Sequence, residues 1–327
     1  MRLLVLVVVL ASAGAGLLAA GVLSSPDGGG AGSRPVERSI SRLAPALPPE
    51  TLQREVGPLP EPAGAARVDL SQPSLIPALR LRRGPKAALA FDLADGSVLW
   101  RHRATTVRPI ASLTKIMTAL LAVERFDAHD RVRVARGAER VGGSRMSGLK
   151  PGRHVRADVL LKGLLISSSN NAAVALAVAG AGSERAWVAL MNRRARLLGL
   201  TCTHYADPHG LDRRNRSCAA DLAALAMRAM NEPRIAAIAR KSRARVWPGS
   251  GRTFTLYTTN HMLRDHYPGA IGLKTGYTRP AGFCLVAIVQ RGSRRIGIIV
   301  LGSRDSFRDA RRLAREAARI GALPAAN

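Results

Sequence analysis

Residues 283–302, FCLVAIVQRGSRRIGIIVLG, limit what this chain can fold into more than any other stretch: two apolar runs flank a polar turn, which reads as strand, turn, strand. A second pair of short β-runs, KAALAFDLADGSVLW at 86–100, is joined at Asp95-Gly96, a dipeptide suited to hairpin turns. Between these hairpins the apolar residues recur at helical spacing. Residues 112–124 place Leu113, Ile116, Met117, Leu120 and Leu121 on one side of a helix. Further helices fit 157–166, 172–179, 184–198, 219–230 and 305–320, with the first two of these broken by SSSNN. Strands at both ends with helices between them predict an α/β domain with a largely antiparallel sheet. No internal repeat is evident.

The first 79 residues read differently. After Arg2, residues 3–23 form a run of 21 positions without a charge, long enough to cross a bilayer. Export is the expectation, through either a signal peptide or an uncleaved anchor. Residues 24–79 are rich in Pro, Gly and Ser without sustained periodicity, as in an extended linker. Order is expected to begin near Arg80.

Charge is concentrated in the body. Residues 80–327 hold 44 basic and 16 acidic side chains, which is the whole of the +28 net charge. Such a body suits a polyanionic neighbourhood, an anionic wall polymer or a membrane surface, unless it is arginine-rich composition without a specific partner. Export argues against nucleic acid. Three cysteines in an exported chain leave at least one unpaired. Cys202 and Cys218 flank a short loop and can bridge, whereas Cys284 sits in an apolar run and reads as core. With no CxxC or HExxH, neither a metal site nor any other cofactor is expected.

The chain has 44 arginines and only six lysines, so each lysine invites a reason. An ammonium can lose its proton near neutral pH when desolvated; a guanidinium cannot. Ser112 and Lys115 stand three apart at a helix start, so hydroxyl and amine face the same side and the amine can take the serine proton. Ser147-Gly148-Leu149-Lys150 repeats the spacing, but Gly148 and the following Pro151-Gly152 make that stretch a turn. Ser168-Ser169-Asn170 lies between two helices, where its hydroxyl and amide can face a cleft or simply cap the next helix. GLKTGYT at 272–278 offers the Lys274 cation, the Thr275 hydroxyl and, at Gly276, close access to the backbone. It suits a substrate carboxylate, or an ordinary hairpin turn.

The order S-x-x-K, S-x-N, K-T-G is far more specific than its parts. With RPIASLTKIMTALLAVE, LLKGLLISSSNNAAVALA, DPHGLD and YPGAIGLKTGYTRPAGFCLV, the chain resembles the low-molecular-mass penicillin-binding proteins, the serine-type D-Ala-D-Ala carboxypeptidases, over roughly residues 84–305. The resemblance implies a β-lactamase/penicillin-binding-protein-like domain: a largely antiparallel sheet with flanking helices and a helical subdomain. The organisation expected is then 1–24 signal peptide or anchor, 25–79 linker and 80–327 D,D-peptidase domain. It implies peptidoglycan stem peptides as substrate and β-lactams as inhibitors. Residue by residue, it makes Ser112 the acylated nucleophile and Lys115 its base, with Ser168 relaying the proton to departing D-alanine. Asn170 would hold Lys115 and the substrate amide, Lys274 and Thr275 the terminal carboxylate. Gly276 belongs to the same binding segment, and the N–H groups of Ser112 and Tyr277 would form the oxyanion hole.

Some positions depart from the family pattern. Ser169 replaces the common Gly, Asn171 a usual Asp, and Asp207 a usual Asn. A class A β-lactamase would need a glutamate in E-x-x-x-N before KTG, and neither Glu184 nor Glu232 fits. A D,D-endopeptidase uses nearly the same chemistry and stays open, as does a catalytically silent wall-binding module. A Ser-His-Asp hydrolase is disfavoured because no G-x-S-x-G occurs, so Asp207 and His209 are read as shaping a loop.

Overall fold

In the computed structural model the described residues are 67–320, apart from 72, 77, 78, 80, 82, 83 and 250. The expected signal or anchor, and the linker up to residue 66, lie outside them. Five strands form the main sheet: β1 (Ala87–Asp92), β2 (Val98–His102), β3 (Ala270–Thr278), β4 (Gly282–Arg291) and β5 (Arg294–Ser303), in the antiparallel order β2-β1-β5-β4-β3. The turn between β4 and β5 is the two residues Gly292-Ser293, and Gly292 has φ +58°, a left-handed conformation that such tight turns require.

The uninterrupted apolar runs of β4 and β5 reflect burial on both faces. Alternate residues go opposite ways: Leu89, Phe91, Val286, Ile288, Ile299 and Leu301 face the helical body. Ala88, Ala90, Leu285, Ala287, Ile298 and Val300 face the last helix, α6 (Ser306–Ile320). That helix contributes Ala310, Leu313, Ala314 and Ala317, an i, i+3, i+4, i+7 stripe. Gly297 is small because the Phe91 ring occupies the space where its Cβ would be, 2.2 Å from the nearest ring atom.

The helical body contains α1 (Lys115–Arg125), α2 (Ala157–Leu165), α3 (Asn170–Ala181), α4 (Glu184–Leu197) and α5 (Ala219–Met230), close to the spans read from periodicity. Residues 170–177 of α3 are buried on all sides, which makes it the central helix of this layer. The fold is the α/β type expected, an antiparallel sheet sandwiched between one helix and a helical layer.

Packing starts before Arg80. Val68 and Leu70 pack on the core of the helical body, Ile76 and Leu79 on the core under α6. Ile76 N–H donates to the Leu99 carbonyl at 3.0 Å and the Trp100 indole N–H to the Leu79 carbonyl at 3.2 Å. These anchors are isolated side chains divided between two cores, not one face of a helix or strand, so they leave no periodicity in the sequence.

Candidate active site

Ser112 sits in a 3-10 turn, Ala111–Thr114, and the α-helix proper begins at Lys115. The sequence spacing predicts a single helix from 112. The turn is tighter because the segment is clamped from two sides. A Cβ on Gly210 would lie 2.1 Å from Ala111 O and 2.8 Å from Ser112 N; one on Gly276 would lie 3.0 Å from Ser112 N. Ala111 itself takes φ +48° to fit.

Lys115 is fully buried, and its Nζ donates to Ser112 Oγ at 2.9 Å and to the His209 carbonyl at 2.5 Å. Burial holds its pKa well below the ordinary lysine value; the nearby Lys274 cation adds to this and the Asp207 carboxylate opposes it. The amine is therefore poised to be neutral and to accept a proton from the hydroxyl it already touches. The look-alike pair does nothing comparable: Ser147 and Lys150 are exposed on a turn where Gly148 has φ +77°.

The second motif reaches the same place by a strained route. Ser168, with φ +58°, is buried and lines a cavity of about 580 Å³ together with Ser112, Ser144, Thr259, Thr275 and Tyr277. Ser169 is the N-cap of α3 by backbone conformation but makes no side-chain capping bond; its hydroxyl meets that of Ser167 at 2.8 Å. Asn170 is not the partner of Lys115 that the resemblance implied. Its side-chain N–H donates to the Gly142 carbonyl at 2.7 Å, and no hydrogen bond among the described residues joins it to Lys115. Asn171 pins the same loop, accepting from Met146 N–H at 3.0 Å and donating to Met146 O at 2.8 Å. An aspartate could accept there but not donate.

Residues 274–277 lie inside β3, the sheet's edge strand, and not in a turn. Lys274 is buried, donates to the Thr275 carbonyl at 3.0 Å, and burial pushes its pKa down to about 7. The Thr275 hydroxyl shares a 2.6 Å hydrogen bond with that of Thr259. Tyr277 is 59% exposed at the mouth and packs on Phe283, ring centres 4.6 Å apart.

Three parts of the site lie outside the three catalytic motifs. His209 acts through its backbone carbonyl, which carries no residue-type signal at all. Asp207 shapes that loop by accepting from the N–H groups of His209 at 2.8 Å, Gly210 at 2.5 Å and Asp212 at 2.6 Å, the shaping role expected of it. Arg304, just past β5, lines the cavity as a permanent cation and looked like one more arginine among 44.

A serine whose hydroxyl meets a buried lysine, facing an edge strand with a second buried lysine on a helix-covered antiparallel sheet, defines the penicillin-binding class of active-site serine proteins. Within that class the profile of the D-alanyl-D-alanine carboxypeptidases matches residues 81–305, and the chain belongs to that family. It is 34% identical over 224 residues to D-alanyl-D-alanine carboxypeptidase DacF of Bacillus subtilis, an alignment that covers 67% of this chain and 57% of that protein. It is 33% identical over 250 residues to a D-alanyl-D-alanine endopeptidase of Pseudomonas aeruginosa, covering 73% and 80%. The crystal structure of a D-alanyl-D-alanine carboxypeptidase from Mycobacterium tuberculosis superposes with a TM-score of 0.70 at 30% identity, covering 78% of this chain and 97% of that one.

Proposed function

We propose that the protein is a serine D,D-carboxypeptidase that removes the terminal D-alanine from peptidoglycan stem peptides. The observation that carries this reading is the buried Lys115 amine in contact with Ser112 Oγ at 2.9 Å. Ser112 Oγ attacks the carbonyl carbon of the D-Ala–D-Ala bond and passes its proton to Lys115. The developing oxyanion is received by the N–H groups of Ser112 and Tyr277; single donors of this kind are worth about 3 kcal/mol in acyl-transfer enzymes. Lys115 passes that proton through the Ser168 hydroxyl to the departing amine and D-alanine leaves; water then attacks the acyl ester, giving one proton to Lys115, which returns it to Ser112 Oγ as the acid is released. The terminal carboxylate is held by Thr275, by Lys274, whose ammonium is favoured once an anion arrives, and by Arg304. A β-lactam acylates Ser112 the same way but keeps its opened amine tethered, so the acyl-enzyme persists.

A second reading, endopeptidase on crosslinked stems, has one specific support, the Pseudomonas relative of that name. Labelling with a fluorescent penicillin tests the chemistry: loss of label in Ser112→Ala is expected, and label that survives there refutes the assignment. Digestion of crosslinked against uncrosslinked muropeptides separates the two activities.

We place the protein outside the cytoplasm, in the wall space or tethered by its N-terminus. Supporting this are the uncharged run at 3–23 and the Cys202–Cys218 disulfide, a bond typical of oxidising compartments. The basic body is suited to a polyanionic surface there, wall polymer or membrane. Retention of purified protein by isolated anionic wall or by acidic vesicles, lost at high salt, is the expected result.

A further inference from the structure

The chain between Cys202 and Cys218 is a closed loop that touches the reactive segment repeatedly. Its neck is the disulfide, with Cα atoms 5.6 Å apart and 16 positions of separation. Beside it the Thr203 and Ser217 hydroxyls meet at 2.8 Å, and His204 and Arg216 exchange backbone hydrogen bonds of 2.9 Å. From this neck the loop pairs Ser217 and Arg216 with Arg108 and Pro109, and Asn215 O accepts from Ile110 N–H at 3.2 Å. Its tip then meets the chemistry. Pro208 O accepts from Thr118 Oγ1 at 2.6 Å, His209 O from Lys115 Nζ at 2.5 Å, and Gly210 presses on the backbone of Ala111 and Ser112. Besides Ser112 Oγ, the His209 carbonyl is the one hydrogen-bond partner of the Lys115 amine among the described residues.

We propose that the Cys202–Cys218 disulfide is a positioning device for the acylation step: by closing loop 203–217 it keeps the backbone of 208–210 seated on Ser112, Lys115 and Thr118 and keeps water from behind the lysine. The inference rests on the reading of Lys115 as the base. The loop's internal shape does not need the bond, because Asp207 gathers three N–H groups on its own. What the bond adds is the seat. It joins the stretch leaving α4 to the first residue before α5, so the loop cannot lift as a flap between two helices. The charged or titratable groups acting on the Lys115 amine are Lys274 on β3 and, in the loop, Asp207 and His209. Lifting the loop removes Asp207 and His209 together and admits solvent.

The test compares the rate of acylation by a fluorescent penicillin from pH 5 to 10 in three forms: intact protein, protein reduced by a small dithiol, and Cys202→Ser/Cys218→Ser. In the reduction each dithiol gives two electrons and two protons, leaving Cys202 and Cys218 as thiols and the reagent as its own cyclic disulfide; excess reagent is then removed. Without the bond, the acidic limb of the profile should move to higher pH, because a solvated lysine returns toward its ordinary pKa. A shift of one unit lowers the rate below the limb about tenfold. A lowered melting temperature with an unmoved profile overturns the proposal, since the bond would then stabilise without positioning. If the double variant does not fold, the reduced protein decides between the same two outcomes, with alkylation of Cys202 marking complete reduction. Intact protein that takes no penicillin would overturn the base reading and this inference with it, whereas normal Ser112-dependent labelling with identical profiles overturns this inference alone.

Discussion

Lys115 and Lys274 are both buried, yet the proposed mechanism gives the two amines different duties, and arginine can tell them apart. A base must be able to exist neutral, which arginine cannot do, so Lys115→Arg should lower the penicillin acylation rate by at least the ~10²–10⁴-fold that a general base contributes. A cation facing a carboxylate is a duty arginine performs, so Lys274→Arg should retain measurable acylation and lose mainly affinity. Equal losses at both positions, with melts showing folded protein, would remove Lys115 from the role of base. Burial of Lys274 also has a signature in stability. Its folded pKa of about 7 lies below the ordinary lysine value of 10.5, so the unfolded chain binds more protons between these values and the protein gains stability as pH rises through that window. Lys274→Met abolishes this dependence, so its melting temperature relative to wild type should be higher at pH 6 than at pH 10. A constant difference across that range would contradict the assignment. Of these side chains, the Ser112–Lys115 pairing was legible in the sequence because three-residue spacing on one helical turn is a local property. The His209 carbonyl and the Asn170–Gly142 bond were not, because they join positions far apart in the chain through backbone atoms that any residue carries.

Secondary structure was most readable where one face alone meets the core. The α6 stripe of Ala310, Leu313, Ala314 and Ala317 shows directly in SFRDARRLAREAARI, and Arg312 and Arg315 between them are exposed. Leu313 is fully buried over β4 and β5, so Leu313→Ala should cost about 2–5 kcal/mol, read as a shift of the denaturation midpoint. Acylation at low temperature should persist, and a midpoint unchanged within error would mean that α6 is not packed as described. Reading failed where tertiary contacts override local preference. GLKTGYT, which its glycines left open to a hairpin turn, is a strand, because β4 pairs along it from Thr278 to Ala270, and its Gly276 lies close against Ser112. Residues 111–114 have helical spacing but are wound as a tighter turn by Gly210 and Gly276 pressing from outside.

The N-terminal segment tests how much of the chain the domain needs. A protein starting at residue 80 loses the packing of Val68, Leu70, Ile76 and Leu79 and the bonds to Leu99 and Trp100. Partial burial of four such side chains is worth on the order of 3 kcal/mol, a fall of roughly 5–10 °C in melting temperature for a domain of this size. Acylation should stay near normal, because β2 lies four strands, about 19 Å, from β3. A start at residue 67 keeps these contacts and should melt above the start at 80 by that amount. Equal melting of both would show those contacts to be idle.

The two edges of the sheet are treated differently, and this has a colloidal consequence. β2 is bonded by the chain's own Ile76 and Leu79, while in the proposed function the outer side of β3 receives the ligand. An open edge invites any extended peptide, including the same strand of another copy. Mutual repulsion answers that risk: a body carrying 44 basic and 16 acidic side chains approaches its own kind against a strong potential, while the small anionic substrate proposed above is drawn in. Salt that screens the first effect should let molecules associate, and a penicillin bound along β3 should keep them dispersed even then.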